Sequence, residues 1–290
     1  YEFVDRFYCW GNDQKKILNE WDCNDSKKTL LTGNPRIDLL REDFSYSNKK
    51  ISSIKKKLGS FILINTKFGY SNNKIGFKKF IKDNRRSGVI TKVDDLKNRI
   101  SYYHYQKKLQ KYFVEMILQI SEKNPDTKLV VRPHPSENVE YWNRIFKKNN
   151  NIIVDSSGEA YVWIKAASVV IHNGCTTAIE AILEKNTMVI SYEPFNSGIF
   201  TIDLPSKVSI RVKTVEAILD LIDKRQDPSP VSSDKFNISE YVHIDTDSYS
   251  SQMIANDIDS YLEEKNNNKK LWIEIIKLYP ALLKNSIKQT

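Results

Sequence analysis

Apolar positions along this 290-residue chain follow two rhythms, and the places where one gives way to the other predict the elements. Short continuous runs of Val, Ile, Leu and Phe read as strands buried on both faces. Apolar residues three and four apart read as helices with one buried side. Residues 7–10 form a first run, and 12–20 have helical character with Asn12 or Asp13 as a cap. Residues 29–32 make a second run, closed by the turn signal Gly33-Asn34-Pro35. The basic stretch 49–57 reads as a solvated linker or helix. Residues 61–64 are wholly apolar and stop at the polar loop Asn65-Thr66-Lys67-Phe68-Gly69. Residues 72–96 are polar and irregular, an insertion that includes a short helix around 77–81.

From 93 to 121 the period is helical, with Leu109, Tyr112, Phe113, Met116, Ile117 and Ile120 lining one face. A regular alternation follows: strands at 128–131, 152–154, 168–171, 188–191 and 208–212, and helices at 139–147, 159–166, 176–184 and 215–223. Short apolar strands separated by helices predict an α/β fold, a doubly wound parallel sheet with helices on both faces. Residues 227–233 form a Pro/Ser-rich break. Beyond it, 248–262 and 270–287 read as two amphipathic helices, the second with Trp272, Ile275, Ile276, Tyr279 and Leu282 on one face and Pro280 as a kink.

Two of the strands end at groups able to bind an anion. The run Val130-Val131 stops at Arg132-Pro133-His134-Pro135, where two prolines fix φ around a histidine. Arg and His together neutralise a phosphate or carboxylate, Arg in bidentate fashion. The same residues also read as a rigid turn with an exposed basic pair. The run Val169-Val170-Ile171 ends at His172-Asn173-Gly174-Cys175-Thr176-Thr177, followed by Glu180 in the first helical turn. Free N–H groups at a helix start, two hydroxyls and a permissive Asn-Gly turn favour an anion there. Thr176 reads equally as a plain N-cap, and His172 better as a satisfied core histidine. Thr66 and Lys67, with Asn65, end a strand of the same sheet and would line the cleft floor. Ser156-Ser157-Gly158-Glu159 approaches a base or ribose, or is an ordinary cap. Tyr102, Tyr103, His104 and Tyr105 read as core or surface. Ligands of open α/β sheets bind outside the carboxyl ends of the strands, so these motifs mark one site.

Composition narrows the ligand. The formal charge of +9 can attract nucleic acid, anionic lipid or anionic substrates, but it lies largely in Lys/Asn-rich solvated runs such as 265–270. No aromatic–glycine RNA-binding signature occurs, so nucleic acid is not an expected partner. Cys9, Cys23 and Cys175 share no metal spacing and point to a reducing, cytoplasmic compartment. No apolar run reaches the roughly 20 residues of a membrane span. Gly-x-Gly-x-x-Gly and Walker sequences are absent, which argues against dinucleotide oxidoreductases and P-loop enzymes. Asp245-Thr246-Asp247 has the form of a metal motif but lies outside the predicted sheet, so no metal is expected.

The Arg-x-His-Pro strand end and the Thr-Thr helix start with Glu-Ala in its first turn resemble the C-terminal domain of GT-B glycosyltransferases. They are most similar to bacterial surface carbohydrate (lipopolysaccharide and capsule) biosynthesis proteins, relatives of the CMP-sialic acid and CMP-Kdo transferases. Leu31-Thr32-Gly33-Asn34-Pro35-Arg36-Ile37-Asp38 is similar to the end of the N-terminal domain in this superfamily, non-hydrolysing UDP-GlcNAc 2-epimerases included. The resemblance implies that His134 contacts a nucleotide phosphate beside Arg132 and Pro135, that Thr176 and Thr177 cradle it, and that Glu180 meets the ribose. It also implies three segments: 1–45, the end of an N-terminal Rossmann-like domain and a linker; 58–235, a Rossmann-like nucleotide-sugar-binding domain; and 236–290, C-terminal helices. The chain opens on Tyr1 within what reads as structure, so most of that N-terminal domain, with the catalytic base, is expected to lie outside it. The implied activity is transfer from a nucleotide-sugar, with CMP as one candidate nucleotide, to a glycan or lipid-linked acceptor, without a cofactor and with peripheral contact to an anionic inner membrane left open. Alternatives are a CDP-glycerol-type polyol-phosphate transferase, a UDP-GlcNAc 2-epimerase-like enzyme and a non-catalytic nucleotide-sugar-binding module.

Overall fold

The computed structural model describes residues 4–21, 28–41, 48–184, 187–196, 198–200, 203–224, 238–245 and 247–287. The break expected at 227–233, Cys23, Thr246 and the side chains expected on one face of 270–287 lie outside that description. The chain divides into two compact units, one made of residues 1–39 and 237–290, the other of 40–236.

In the discontinuous unit, strands β1 (Phe7–Cys9) and β2 (Thr29–Leu31) pair in parallel across the helix Asn12–Trp21. Asn34 caps the short helix Pro35–Asp38 by accepting from Arg36 N at 3.0 Å. Asp38, at the end of that turn, is buried and accepts from the N–H groups of Ser250 and Ser251, both at 3.1 Å. It thereby caps a helix distant in sequence, since these are the first residues of Ser250–Ile287. That helix is continuous where the sequence predicts two. The polar stretch 265–270 contains neither Gly nor Pro, so nothing in it stops helical propagation, and Pro280 lies within the assigned helix. A Cβ on Gly11 would come within 2.3 Å of the Tyr241 carbonyl carbon, so only glycine permits this approach of the two segments.

The second unit holds a six-stranded parallel sheet of β3 (Phe61–Asn65), β4 (Lys128–Arg132), β5 (Ile152–Val154), β6 (Val169–His172), β7 (Met188–Tyr192) and β8 (Ile210–Val212). Its order is β5-β4-β3-β6-β7-β8, the doubly wound arrangement in which direction reverses between β3 and β6. All five residues of β3 and of β7 are buried, because helices cover both faces; this is why residues 61–64 and 188–190 read as apolar runs. The helix Val93–Lys123 lays Leu109, Phe113, Met116, Ile117 and Ile120 into the core against Ile62, Ile64, Val131, Ile171 and Ile190. The basic stretch is the helix Asn48–Leu58, and the insertion's helix runs Phe77–Arg86, longer than expected because no breaker occurs before Ser87-Gly88.

Candidate functional site at the strand ends

The reversal point places the ends of β3 and β6 side by side, with Asn65 in register with both Arg132 and His172. Asn65 Nδ2 donates to Thr177 Oγ1 at 3.0 Å, tying the end of β3 to the helix Thr177–Ile182 that follows β6. Thr177 Oγ1 in turn donates to Cys175 Sγ at 3.1 Å. The oxygens Asn65 Oδ1 and Asn173 Oδ1 are buried with no hydrogen-bond partner among the described residues. An orphaned buried acceptor costs about 1–3 kcal/mol, and both of these stand where β3 and β6 end side by side.

Gly174 turns the chain out of β6 at φ +79°, where a side chain would be strained. Its N–H donates to His172 Nδ1 at 3.1 Å, while His172 Nε2 lies 2.8 Å from Ser209 Oγ, whose hydroxyl reaches Pro205 O. His172 is fully buried, and that burial pushes its pKa down to about 4, with Glu193 opposing. It is a neutral, satisfied core histidine, as the sequence suggested. Thr176 precedes the helix in αR conformation, and its exposed side chain makes no capping bond. Thr176 thus holds the N-cap position as expected, but without a capping bond from its side chain. Glu180 is buried in the first turn.

Around the ends of β3 and β4 a single buried carboxylate organises the loops. Glu137 Oε1 accepts from Thr66 Oγ1 (2.8 Å), Phe68 N (3.0 Å) and His134 N (3.0 Å). Its Oε2 accepts from Trp142 Nε1 at 3.0 Å and from Asn72 Nδ2 at 3.5 Å. Sequence reasoning missed Glu137, whose only linear signal is an acid just after the proline-bracketed histidine. The consequence for Thr66 is that its hydroxyl is committed inside the protein. The His134 ring is exposed, and Nδ1 accepts from Ser136 N at 3.2 Å with Ser136 Oγ 2.8 Å away. The neutral ring therefore carries its proton on Nε2. Partial desolvation lowers the His134 pKa, Glu137 opposes this, and the nearby Lys67 cation lowers it further. Lys67 has no ion-pair partner among the described residues, so an ammonium and an imidazole N–H donor stand together. Arg132 turns elsewhere: NH1 and NH2 donate to the carbonyls of Ser157 and Gly158 at 2.7 and 2.6 Å, fixing the loop after β5. Pro135 is exposed and serves the turn.

Beyond Asn173 and Gly174 lies a small recess of about 30 Å³, walled by Tyr102, Tyr105, Phe195 and Phe200 with Glu193 on its polar side. Burial pushes the Glu193 pKa up, but hydrogen bonds from Arg211, Ser206 and Ser191 outweigh it and keep the carboxylate ionised below the usual range. Tyr102 and Tyr105, read as core or surface, are half-buried and pack against Phe195 and Phe200. Their partners come from the aperiodic residues around 195–200, which no repeat in the sequence marks.

No family model matches the sequence, and no curated protein is similar to it. Solved structures are. Methanocaldococcus jannaschii UDP-GlcNAc 2-epimerase, in complex with UDP-GlcNAc and UDP, matches over 88% of this chain at 13% identity with a TM-score of 0.54. A variant of the wall teichoic acid polymerase TagF soaked with CDPG matches over 90% at 11% identity, TM-score 0.55. Neisseria meningitidis UDP-GlcNAc 2-epimerase bound to UDP-GlcNAc matches over 88% at 15% identity, TM-score 0.51. The chain spans 61%, 59% and 62% of these three structures respectively. At such identities the likeness shows the fold alone: the α/β architecture is GT-B-like.

Proposed function

We propose that this chain is the nucleotide-sugar-binding part of a GT-B glycosyltransferase-like enzyme of surface polysaccharide (lipopolysaccharide or capsule) biosynthesis, related to the CMP-sialic acid and CMP-Kdo transferases. The observation that carries the reading is the closeness of the Lys67 cation to His134, whose Nδ1 is already occupied, at the strand ends of a doubly wound sheet. The exposed Thr176 side chain and the orphaned acceptors Asn65 Oδ1 and Asn173 Oδ1 stand at the adjoining ends of β6 and β3. In this reading the phosphate lies against Lys67, His134 and Thr176.

Chemically, the bond that breaks joins the anomeric carbon to the phosphate oxygen, and the electron pair remains on that oxygen. An ammonium and a neutral imidazole donor aimed at it stabilise the charge that develops, without moving a proton from a solvent-equilibrated acid. Arg132 and Glu137 act one step back by fixing the loops that carry these donors. The base that activates the acceptor is assigned to no residue of this chain.

A second reading, a CDP-glycerol-type polyol-phosphate transferase, is favoured by the likeness to the TagF variant soaked with CDPG. Calorimetric titration of CMP, CDP and UDP separates the two by nucleotide preference. His134→Ala is expected to weaken the preferred nucleotide by about 1–3 kcal/mol, as loss of a hydrogen bond to a charged group does. If no nucleotide binds the folded chain, both readings fail.

A further inference from the structure

Residues 74–93, which run from the strand-end loop into the start of the long helix, are not used by the site above, and their chemistry is unusual. Residues 74–93 carry seven cations (Lys74, Lys78, Lys79, Lys82, Arg85, Arg86 and Lys92) and one acid, Asp83. Within the helix Phe77–Arg86 the charges are sorted. At about 100° per residue, Lys78, Lys79, Lys82, Arg85 and Arg86 fall within an arc of roughly 120°. Phe77, Phe80 and Ile81 occupy the opposite side. That apolar side is already covered: the Phe77 ring stacks on Tyr103 with centroids 4.2 Å apart, and Phe80 meets the edge of Tyr70 at 5.0 Å. Arg99 bonds the Tyr70 hydroxyl beneath them.

The helix is therefore pinned by its apolar face and presents its cationic face outward. All five cations on that face are exposed, and none pairs with an acid among the described residues. Aliphatic side chains stand exposed at both ends of the same segment: Ile75 (41%) before the helix, Val89 (49%) and Val93 (68%) after it. A cation cluster with no local counter-charge asks for an anionic partner. Exposed aliphatics flanking it ask for an apolar layer directly beneath those anions. A phospholipid surface offers both, with lysine stems and aliphatics in the interface and the ammonium groups among the headgroups. Nucleic acid would match the charge but gives Ile75, Val89 and Val93 nothing to bury against, and no aromatic ring is free on this face to stack a base.

We propose that the outer face of Phe77–Arg86, together with Ile75, Val89 and Val93, docks the protein on an anionic phospholipid bilayer. The segment is rooted at the strand ends: Lys74 N donates to Ser136 O at 2.9 Å, and Asn72 O accepts from Asn138 N at 2.8 Å. Docking would hold the crevice next to the lipid surface.

Vesicle flotation of the whole chain tests this. It is expected to float with phosphatidylcholine vesicles doped with phosphatidylglycerol and not with pure phosphatidylcholine, and to be released as salt rises. Each cation neutralised should cost about fivefold in partitioning, so Lys79→Gln, Lys82→Gln and Arg86→Gln together should cost about a hundredfold. Val89→Ser with Val93→Ser should weaken the binding that survives high salt. Acetylation footprinting of the unaltered chain gives a reading that needs no variant, with Lys78, Lys79 and Lys82 protected by the doped vesicles. Equal flotation with neutral vesicles, no flotation, unchanged flotation of the triple variant, or preferential capture by a random-sequence RNA would each overturn the proposal. None of these readouts depends on nucleotide binding.

Discussion

Glu137→Gln is the sharpest test of how the strand-end loops are held. The substitution keeps the shape and replaces one acceptor oxygen by an NH2 group. The new side chain can keep an oxygen where three donors converge, from Thr66, Phe68 and His134. Its NH2 then faces the Trp142 indole N–H, now 3.0 Å from Oε2, and the more distant Asn72 amide. Trp142 is fully buried, so its N–H finds no water and costs about 1–3 kcal/mol as an orphan. The three retained bonds lose their charge assistance, a loss largely offset because a neutral amide is easier to bury than a carboxylate. The net destabilisation is about 2–3 kcal/mol. Urea unfolding followed by circular dichroism measures it, and Trp142→Phe completes a double-mutant cycle. In the Glu137→Gln background the phenylalanine removes a donor that already lacks an acceptor, so its cost should fall by about 1–2 kcal/mol relative to its cost in the unaltered chain. Additivity within about 0.5 kcal/mol would refute the assignment of that bond, and a destabilisation under about 1 kcal/mol would refute the organising role of the carboxylate.

Two further outcomes follow from neighbouring groups. The folded pKa of His172, about 4, lies below the roughly 6.5 of an unfolded histidine. As pH falls from about 6.5 towards 4 the unfolded state takes up a proton that the folded state refuses, so stability drops by about 3 kcal/mol across that window. His172→Asn should flatten this acid limb in urea midpoints measured at pH 7 and pH 5, whatever it costs at pH 7; an unaltered slope would remove His172 as its source. Arg132→Lys cannot bond two carbonyls with one planar fork, so amide hydrogen exchange of residues 155–159 should accelerate by about tenfold, one lost bond's worth. Unchanged exchange there would show that the guanidinium does not fix the loop.

What the sequence made legible is what a period encodes one element at a time. Burial on both faces forces the middles of β3, β4 and β6 to be apolar runs, and an apolar run has to end where the sheet ends, so Asn65, Arg132 and Asn173 mark its carboxyl edge without any coordinates. What escaped is what depends on two loops meeting. Arg132 and His134 are two residues apart and read as one basic pair, yet the guanidinium follows the carbonyls of Ser157 and Gly158, 25 and 26 residues on, while the imidazole is held by Ser136. Thr66 reads as a cleft hydroxyl, but β4 lies beside β3 in the sheet and brings Glu137 within 2.8 Å of it. Backbone N–H groups leaving two adjacent parallel strands need an acceptor that neither strand supplies, since the ladder has ended. One carboxylate reaching both Phe68 N and His134 N meets that need, which is why an acid sits behind a motif that looks purely basic. The loop that carries His134 is thus held at its backbone by a buried carboxylate, a product of strand order rather than of the motif alone.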